Sequence, residues 1–358
     1  MGEQEIVHID QAFATNWIST VGPQIDLFEK TLAQYTGVEN AVALSSGTAA
    51  IHLALKILGI KNDDLVLCQS FTFSGSAYPI IYQNAKPVFI DSENDTWNLD
   101  PNYLEDAIRK LSKRPKAIIP VHLYGMPAKM DEIKEIALKY EIPIIEDAAE
   151  ALGSLYKNQK IGSLGDLSVL SFNGNKIITT SGGGALLSNN SDYINKAKFL
   201  ATQARDQAVH YQHSEIGYNY RMGNINAAIG LGQMEVLKDR VKRRRQIFDF
   251  YKSRLSSIGE FRFQEEPTGH HSNRWLTCIV TKSYDQREKI RLALEAENIE
   301  ARPLWKPMHL QPIFKDCQYF GIGVSDEFFE KGLCLPSGSS LTDEDLGRIV
   351  DIVVRILK

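Results

Sequence analysis

The chain has 358 residues, 43% of them hydrophobic and 23% charged, the composition of an ordinary globular protein with room for a large domain and a smaller one. A formal net charge of −4 gives no general attraction to nucleic acid or to an anionic membrane, no 18 apolar residues run together, and the acids of Met1-Gly2-Glu3-Gln4-Glu5 precede any apolar stretch, so a cytoplasmic location is expected. Cys68, Cys278, Cys317 and Cys334 are scattered without Cys-x-x-Cys spacing, which implies neither a metal site nor a disulfide framework.

From about residue 40 to 190, short apolar runs at 41–44, 65–67, 88–90, 117–119, 143–145 and 167–170 alternate with amphipathic stretches. This alternation predicts an α/β fold with a mostly parallel central sheet and helices on both faces. Helical spacing places Ile51, Leu55 and Leu58 on one side of residues 49–58, and Ile133, Ile136 and Ala137 on one side of 130–140. Beyond residue 190 helical patterns dominate, with a long candidate over 225–237 and then a basic helix. The basic run Lys238, Arg240, Lys242, Arg243, Arg244 and Arg245 is read as a solvated helix face in preference to a polyanion site. A second, smaller α/β region begins near residues 274–280, so the chain divides into a large domain, 1–240, and a small C-terminal domain, 241–358.

Ligands of parallel sheets sit outside the carboxyl ends of the strands, so the residues ending the apolar runs are the first candidates. Ser45-Ser46-Gly47-Thr48 opens the helix at 49–58 and is either a helix cap or a phosphate site made of free backbone N–H groups. Phe71, Phe73 and Tyr78 follow the run at 65–67 and offer aromatic faces for stacking, or core packing. Asp147 ends the run at 143–145, where a carboxylate needs a partner; a protonated ring nitrogen, a salt bridge or a cap would serve. Glu150, three residues on, is a cofactor-binding candidate placed to approach a phenolic oxygen on such a ring, or it completes a cap with the next turn. Lys176 lies in Ser171-Phe172-Asn173-Gly174-Asn175-Lys176, between a Ser/Gly/Asn loop of phosphate size and Gly182-Gly183-Gly184. An amine there can form a Schiff base with an aldehyde while Asp147 keeps a pyridinium charged, which together point to pyridoxal 5'-phosphate. The glycine run precedes residues 185–187 and reads as a turn into a strand that passes close to other backbone. No Gly-x-Gly-x-x-Gly opens a helix after a first strand, and Gly174-Asn175-Lys176 lacks P-loop spacing.

With these residues in place the chain resembles the DegT/DnrJ/EryC1/StrS family of pyridoxal phosphate-dependent nucleotide-sugar aminotransferases, of fold type I. The likeness covers nearly the whole length: Asn16 to Pro23, Ser46-Gly47-Thr48-Ala49-Ala50, Gln69 to Phe73, Glu146-Asp147-Ala148-Ala149-Glu150, Ser171 to Gly184, Gly217 to Arg221 and Ala301 to His309. Phe-Asn-Gly-Asn-Lys, Glu-Asp-Ala-Ala-Glu and Arg-Pro-Leu-Trp-Lys-Pro-Met-His are most similar to transaminases of the UDP-N-acetylbacillosamine pathway and to exopolysaccharide-locus aminotransferases. The resemblance implies Lys176 as the Schiff-base lysine, Asp147 as the pyridinium partner, Phe73 as the stacking aromatic, and Gly47, Thr48 and Ser171 as the phosphate cradle. Glu150 stands where the family often has Gln or His. Asn219 matches a residue given to the phosphate by a neighbouring subunit, which implies a homodimer with shared active sites. Asn16, Trp17, Ile18 and Ser19, with Arg302, Trp305 and His309, fall in stretches that resemble sugar-nucleotide contacts.

The implied reaction moves an amino group from L-glutamate to the C4 keto group of a UDP-linked 4-keto-6-deoxy hexose carrying a 2-acetamido group. The product would be a 4-amino sugar for surface polysaccharide or glycan. Rival readings are a dTDP- or GDP-linked ketosugar, an enzyme acting on amino acids only, and a non-enzymatic DNA-binding regulator. Family members that dehydrate the sugar carry His in place of the lysine, against which Lys176 stands. A desulfurase needs a mobile cysteine in an exposed Gly/Ser loop, and none of the four is so placed.

Overall fold

The computed structural model describes residues 1–258 and 260–357. The apolar runs form β1 (Asn40–Leu44), β2 (Leu65–Gln69), β3 (Lys86–Ile90), β4 (Ala117–Ile119) and β5 (Ile145–Asp147). A hairpin, β6 (Leu155–Tyr156) and β7 (Gln159–Lys160), precedes β8 (Leu167–Ser171) and β9 (Gly184–Ser188). The C-terminal part adds β10 (Arg262–Phe263), β11 (His270–His271), β12 (Thr277–Val280), β13 (Arg302–Pro303), β14 (Gln318–Phe320) and β15 (Gly332–Leu335). Ladders run in the orders β1-β9-β8-β5 and β4-β2-β3-β14, and the bridges Ile118↔Ile144 and Val121↔Asp147 join β4 to β5. Within this surface β9 is antiparallel to both of its neighbours, while β5–β8, β2–β4, β2–β3 and β3–β14 are parallel. The reversal has a local cause: residues 172–183 return the chain beside β8 without a crossover helix, and a strand that follows such a return runs the opposite way.

Successive side chains along a strand point to opposite faces, and both faces are apolar here. Ala43 and Leu67 join a core with α2 (Pro23–Thr36), α5 (Pro101–Lys110) and α6 (Met130–Tyr140). Val42, Leu44, Val66 and Cys68 join the opposite core with α3 (Gly47–Ile57), α4 (Ser74–Tyr82) and α7 (Ser191–Ala201). The N-terminal helix α1 (Gln4–Ala14) lies against the first half of α8 (Asn224–Leu255).

Residues 224–255 form one helix of 32 residues, where sequence spacing suggested two in succession. No proline interrupts it; what changes near residue 238 is the packing partner. Ala227, Leu231 and Leu237 belong to the core of the large sheet, whereas Ile247, Phe248, Tyr251 and Leu255 pack with α9 (Tyr284–Ala296) and α11 (Asp343–Leu357) behind the antiparallel sheet β10-β12-β15-β13. Residue 240, taken above as the domain division, therefore lies inside a continuous helix. The basic run is not a solvated face throughout. Arg244 donates to the carbonyls of Trp275, at 2.9 Å, and of Ser337; Arg245 pairs with Glu266 at 2.6 Å and donates to the Ser272 carbonyl at 2.7 Å; Arg243 meets Asp343 at 3.1 Å. These guanidinium groups clamp α8 to the C-terminal sheet and its loops.

The end of β5 is fixed by Glu146, fully buried and the acceptor for five donors: His122 Nε2 at 3.0 Å, Ser168 Oγ at 2.6 Å, and the N–H groups of Gly162, Leu164 and Gly165 at 2.7, 2.7 and 3.0 Å. The Ala128 N–H donates to His122 Nδ1 at 2.9 Å, which leaves the ring proton on Nε2, facing the carboxylate. Burial pushes the Glu146 carboxyl up, but His122, Ser168 and the Gly162 N–H outweigh it and bring the group down to about 2. A depressed carboxyl stabilises the fold above its unfolded value of 4.5 and loses that contribution as pH falls toward about 2. Glu146→Gln is expected to cost roughly 3 kcal/mol at pH 7, through buried donors left without acceptors. Urea midpoints of the apoprotein would show it, with the gap to the parent narrowing as pH falls below 4.5.

Candidate active site

A cavity of about 360 Å³ opens at the carboxyl ends of β1, β2, β5 and β8, and its lining includes Gly47, Thr48, Phe73, Asp147, Lys176 and Trp275. An outer cleft of about 620 Å³ shares Phe73, Asn175, Trp275, Arg302 and Trp305 with it and adds Lys306.

At the start of α3 the two readings of residues 45–48 prove compatible. Ser46 is extended, at φ −167° and ψ 162°, and its Oγ accepts from the Ala49 N–H at 3.0 Å, which makes it the cap. Gly47 and Thr48 form the first turn, where backbone N–H groups have no partner within the helix, and both line the cavity beside Ser171. Two glycines allow the close approach. A Cβ on Gly47 would lie 3.2 Å from Ser171 Cβ, and one on Gly184 would lie 2.4 Å from the Gly47 nitrogen. The glycine run thus brings β9 under the helix start, as the turn reading anticipated.

Asp147 is 4% exposed. Its Oδ2 accepts from Ser76 Oγ at 2.6 Å, Ser76 Oγ lies 2.8 Å from Thr72 Oγ1, and its Oδ1 accepts from the Ala149 N–H at 3.1 Å. Among the described residues no Lys, Arg or His pairs with it, so a buried carboxylate faces the cavity with neutral donors alone. That is the surrounding a cationic ring would complete.

Lys176 enters from the loop between β8 and β9, its side chain 11% exposed. Its Nζ lies 3.5 Å from Glu150 Oε1 and 4.3 Å from the centroid of the Trp275 ring, whose Nε1 donates to the Asn175 carbonyl at 2.8 Å. Glu150 Oε2 accepts from the Tyr124 N–H at 2.7 Å. Burial pushes the Glu150 carboxyl up to about 7; Lys176 and the Tyr124 N–H pull the other way, and Asp147 adds to the rise.

Of the three aromatics after β2, Phe73 is the one that lines the inner cavity, 58% exposed with its ring 5.4 Å from that of Trp305. Phe71 is buried against Phe328, and Tyr78 packs on Phe314 and reaches the outer cleft. Arg302 and Trp305 stand at both chambers. His309 does not line either: it lies 2.6 Å from Ser70 Oγ and 3.1 Å from Asp326, and stacks on Tyr319. Asn16, Trp17, Ile18 and Ser19 are exposed and away from this chain's cavity; the Trp17 and Ser19 carbonyls accept from the side chain and the N–H of Asn224, both at 2.7 Å. Asn219 is exposed as well, bridged to Thr202. Sequence reasoning missed Trp275, Tyr124, Thr72 and Ser76 as parts of the site. Thr72 and Ser76 had a signal, since both follow the end of β2.

A ligand with a cationic ring and a phosphate tail answers the lone carboxylate and the free N–H groups at once, and pyridoxal phosphate is that ligand. Residues 1–354 match the DegT/DnrJ/EryC1/StrS aminotransferase family, and the chain belongs to it. It is a pyridoxal phosphate-dependent sugar aminotransferase. It is 50% identical to EpsN of Bacillus subtilis (strain 168), provisionally described as a pyridoxal phosphate-dependent aminotransferase, over 99% of this chain and 94% of that one. It is 37% identical to a GDP-perosamine synthase of Escherichia coli O157:H7, over 96% and 93% respectively. A DegT DnrJ EryC1 StrS aminotransferase from Brucella abortus superimposes with a TM-score of 0.91 at 30% identity, covering 98% of this chain and 94% of the other. No helix among the described residues is long and apolar enough to cross a membrane, and no cluster of metal-ligating side chains occurs among them.

Because β9 must pass within contact of the α3 start, Gly184→Ala should displace the Gly47 and Thr48 N–H groups. An increase of about tenfold or more in the dissociation constant for pyridoxal phosphate, roughly 1.4 kcal/mol, is expected in an absorbance titration.

Proposed function

We propose that this enzyme takes the amino group of L-glutamate and delivers it to the C4 keto group of a UDP-linked 4-keto-6-deoxy hexose bearing a 2-acetamido group. The product is a UDP-4-amino sugar for surface polysaccharide or glycan synthesis. The observation that carries the reading is the placement of Lys176: a nearly buried amine over a cavity that also receives Asp147 and the α3 N-terminus. When bound, pyridoxal phosphate supplies an aldehyde that carries the amino group and a cationic ring that draws electrons from the carbon losing its proton. Asp147 keeps the ring nitrogen protonated, oriented by Ser76 and Thr72. Gly47, Thr48 and Ser171 would hold the phosphate, and Phe73 would offer the ring an aromatic face. With the cofactor bound, the Lys176 amine would hold its aldehyde and would carry the proton lost by the donor carbon, and it would serve in the same way for the sugar. Trp275 and Trp305 exclude water from the amine.

The outer cleft supports a large second substrate. Arg302, paired with Glu300 at the same cleft, and Lys306 stand there, and a diphosphate would compete with that carboxylate for the guanidinium. The motif likeness to bacillosamine-type transaminases supports the UDP-linked, 2-acetamido sugar. The 37% identity to a GDP-perosamine synthase favours a GDP-linked substrate as the second reading. The exposure of Asn219 and of residues 16–19, away from their own cavity, supports a homodimer in which each subunit completes its partner's site. A cytoplasmic setting suits the four free thiols and the nucleotide-sugar substrate.

Borohydride reduction of the holoenzyme followed by peptide mapping should place the label on Lys176. Lys176→Ala should retain bound cofactor with no such label and lose turnover by several orders of magnitude; near-normal turnover would end the assignment. A mass-spectrometric panel of UDP-, GDP- and dTDP-4-ketosugars with glutamate should give the amine from the UDP substrate. Amination of the GDP sugar alone would install the second reading, and transfer between amino acids alone would remove both.

A further inference from the structure

One buried ionisable group of the cavity, placed by the sequence to approach the cofactor ring, also touches the reactive amine. Glu150 is 4% exposed, one oxygen beside the Lys176 amine and the other held by the Tyr124 N–H. That N–H is aimed by an unusual backbone: Tyr124 has φ 55° and ψ 20°, a left-handed conformation that a bulky residue rarely adopts. Its surroundings enforce it. The Tyr124 ring is fully buried against Phe71 and Trp305, its Oη accepts from the Trp305 N–H at 3.0 Å, and Gly125 follows at φ 92°, with Asn273 so close that no side chain would fit. Asn273 in turn donates to the Glu150 carbonyl at 2.9 Å. Glu150 is therefore fixed at both its backbone and its side chain, and among the described residues the cation beside its free oxygen is Lys176.

We propose that Glu150 is the positioning residue of Lys176: its carboxyl group sets where the amine rests over the cavity and how readily that amine reacts. This rests on the reading of Lys176 as the reactive amine. The ionisable groups facing Glu150 are Lys176 from the loop after β8, Asp147 from β5, Tyr124 from the turn after β4 and Cys278 from β12. Burial, with repulsion from Asp147 adding to it, raises the Glu150 carboxyl, so it is neutral at mildly acid pH and becomes a carboxylate near neutrality. As a carboxylate it holds the amine against Trp275 and away from electrophiles; as a neutral acid it holds the amine less firmly. A glutamine accepts the same Tyr124 N–H without carrying charge, which separates this role from a purely structural one.

The test uses the apoprotein and trace labelling with acetic anhydride between pH 6 and 10, read by peptide mapping and normalised to exposed surface lysines. Glu150→Gln should label Lys176 about three- to tenfold faster than the parent near pH 8, and Glu150→Asp, which restores the charge, should return most of the slow labelling. Superposable profiles for the parent and Glu150→Gln would overturn the proposal. Should circular dichroism show Glu150→Gln unfolded, the parent alone decides: its Lys176 profile must depart from a one-proton curve near pH 7, and a simple one-proton curve would equally overturn it. Borohydride trapping at Lys176 in the parent holoenzyme is run alongside. Absence of trapping there strikes the reading of the lysine itself, whereas trapping with unchanged labelling strikes Glu150 alone.

Discussion

The alternation of side chains along a strand is the constraint on which this site depends. At the end of β5 it sends two adjacent carboxylates in opposite directions. Glu146 turns inward and is satisfied by protein donors, five of them, so that the loop at 162–165, β8 and His122 are all tied to one buried charge. Asp147 turns to the cavity and receives neutral donors. A shift of one residue in register would exchange them, burying a bare charge in the core and offering the cofactor a carboxylate already engaged. The stability of the sheet edge and the charge of the cavity are thus two faces of the same short strand.

Around that strand the large sheet supplies the floor of the cavity, and the C-terminal part supplies its walls. Gly47, Thr48, Asp147 and Lys176 come from strand ends, whereas Trp275, Arg302 and Trp305 come from the smaller antiparallel sheet and its loops. α8 belongs to both cores, and its arginines hold the carbonyls of Trp275 and Ser337. Of the run read in the sequence as a solvated helix face, Lys238 and Lys242 are exposed, whereas Arg243, Arg244 and Arg245 are half-buried tethers. Arginine suits this work, because its planar fork can satisfy carbonyls from two segments at once.

Much of this was readable in the residues. Apolar runs bounded by Ser, Gly and Asp marked the strands and their ends, and the candidates taken from those ends, Asp147 and residues 45–48, line one cavity with Lys176. The direction of β9 was not readable, because a twelve-residue connection is compatible with either sense until its lack of a helix is known. The continuity of α8 was hidden as well: the pattern of apolar residues changes where the packing partner changes, and in one dimension that resembles a helix end. Trp275 and Tyr124 carry no local signature of a role. The first lies about a hundred residues from the lysine it touches, and the second acts through a backbone N–H whose direction depends on φ, which side-chain identity does not report. His309, by contrast, sits in a stretch resembling substrate contacts, yet Ser70, Asp326 and Tyr319 occupy it.

The hydrogen bond from the Trp275 indole to the carbonyl of Asn175 sets an order of events in making the molecule. A nascent chain that has reached residue 190 already holds the strands, the anion-binding turn and the lysine. The brace on that lysine's loop arrives only with the segment a hundred residues later. Synthesis from the N-terminus therefore presents a half-built pocket first, and the amine gains its fixed aim only when the last third of the chain has docked.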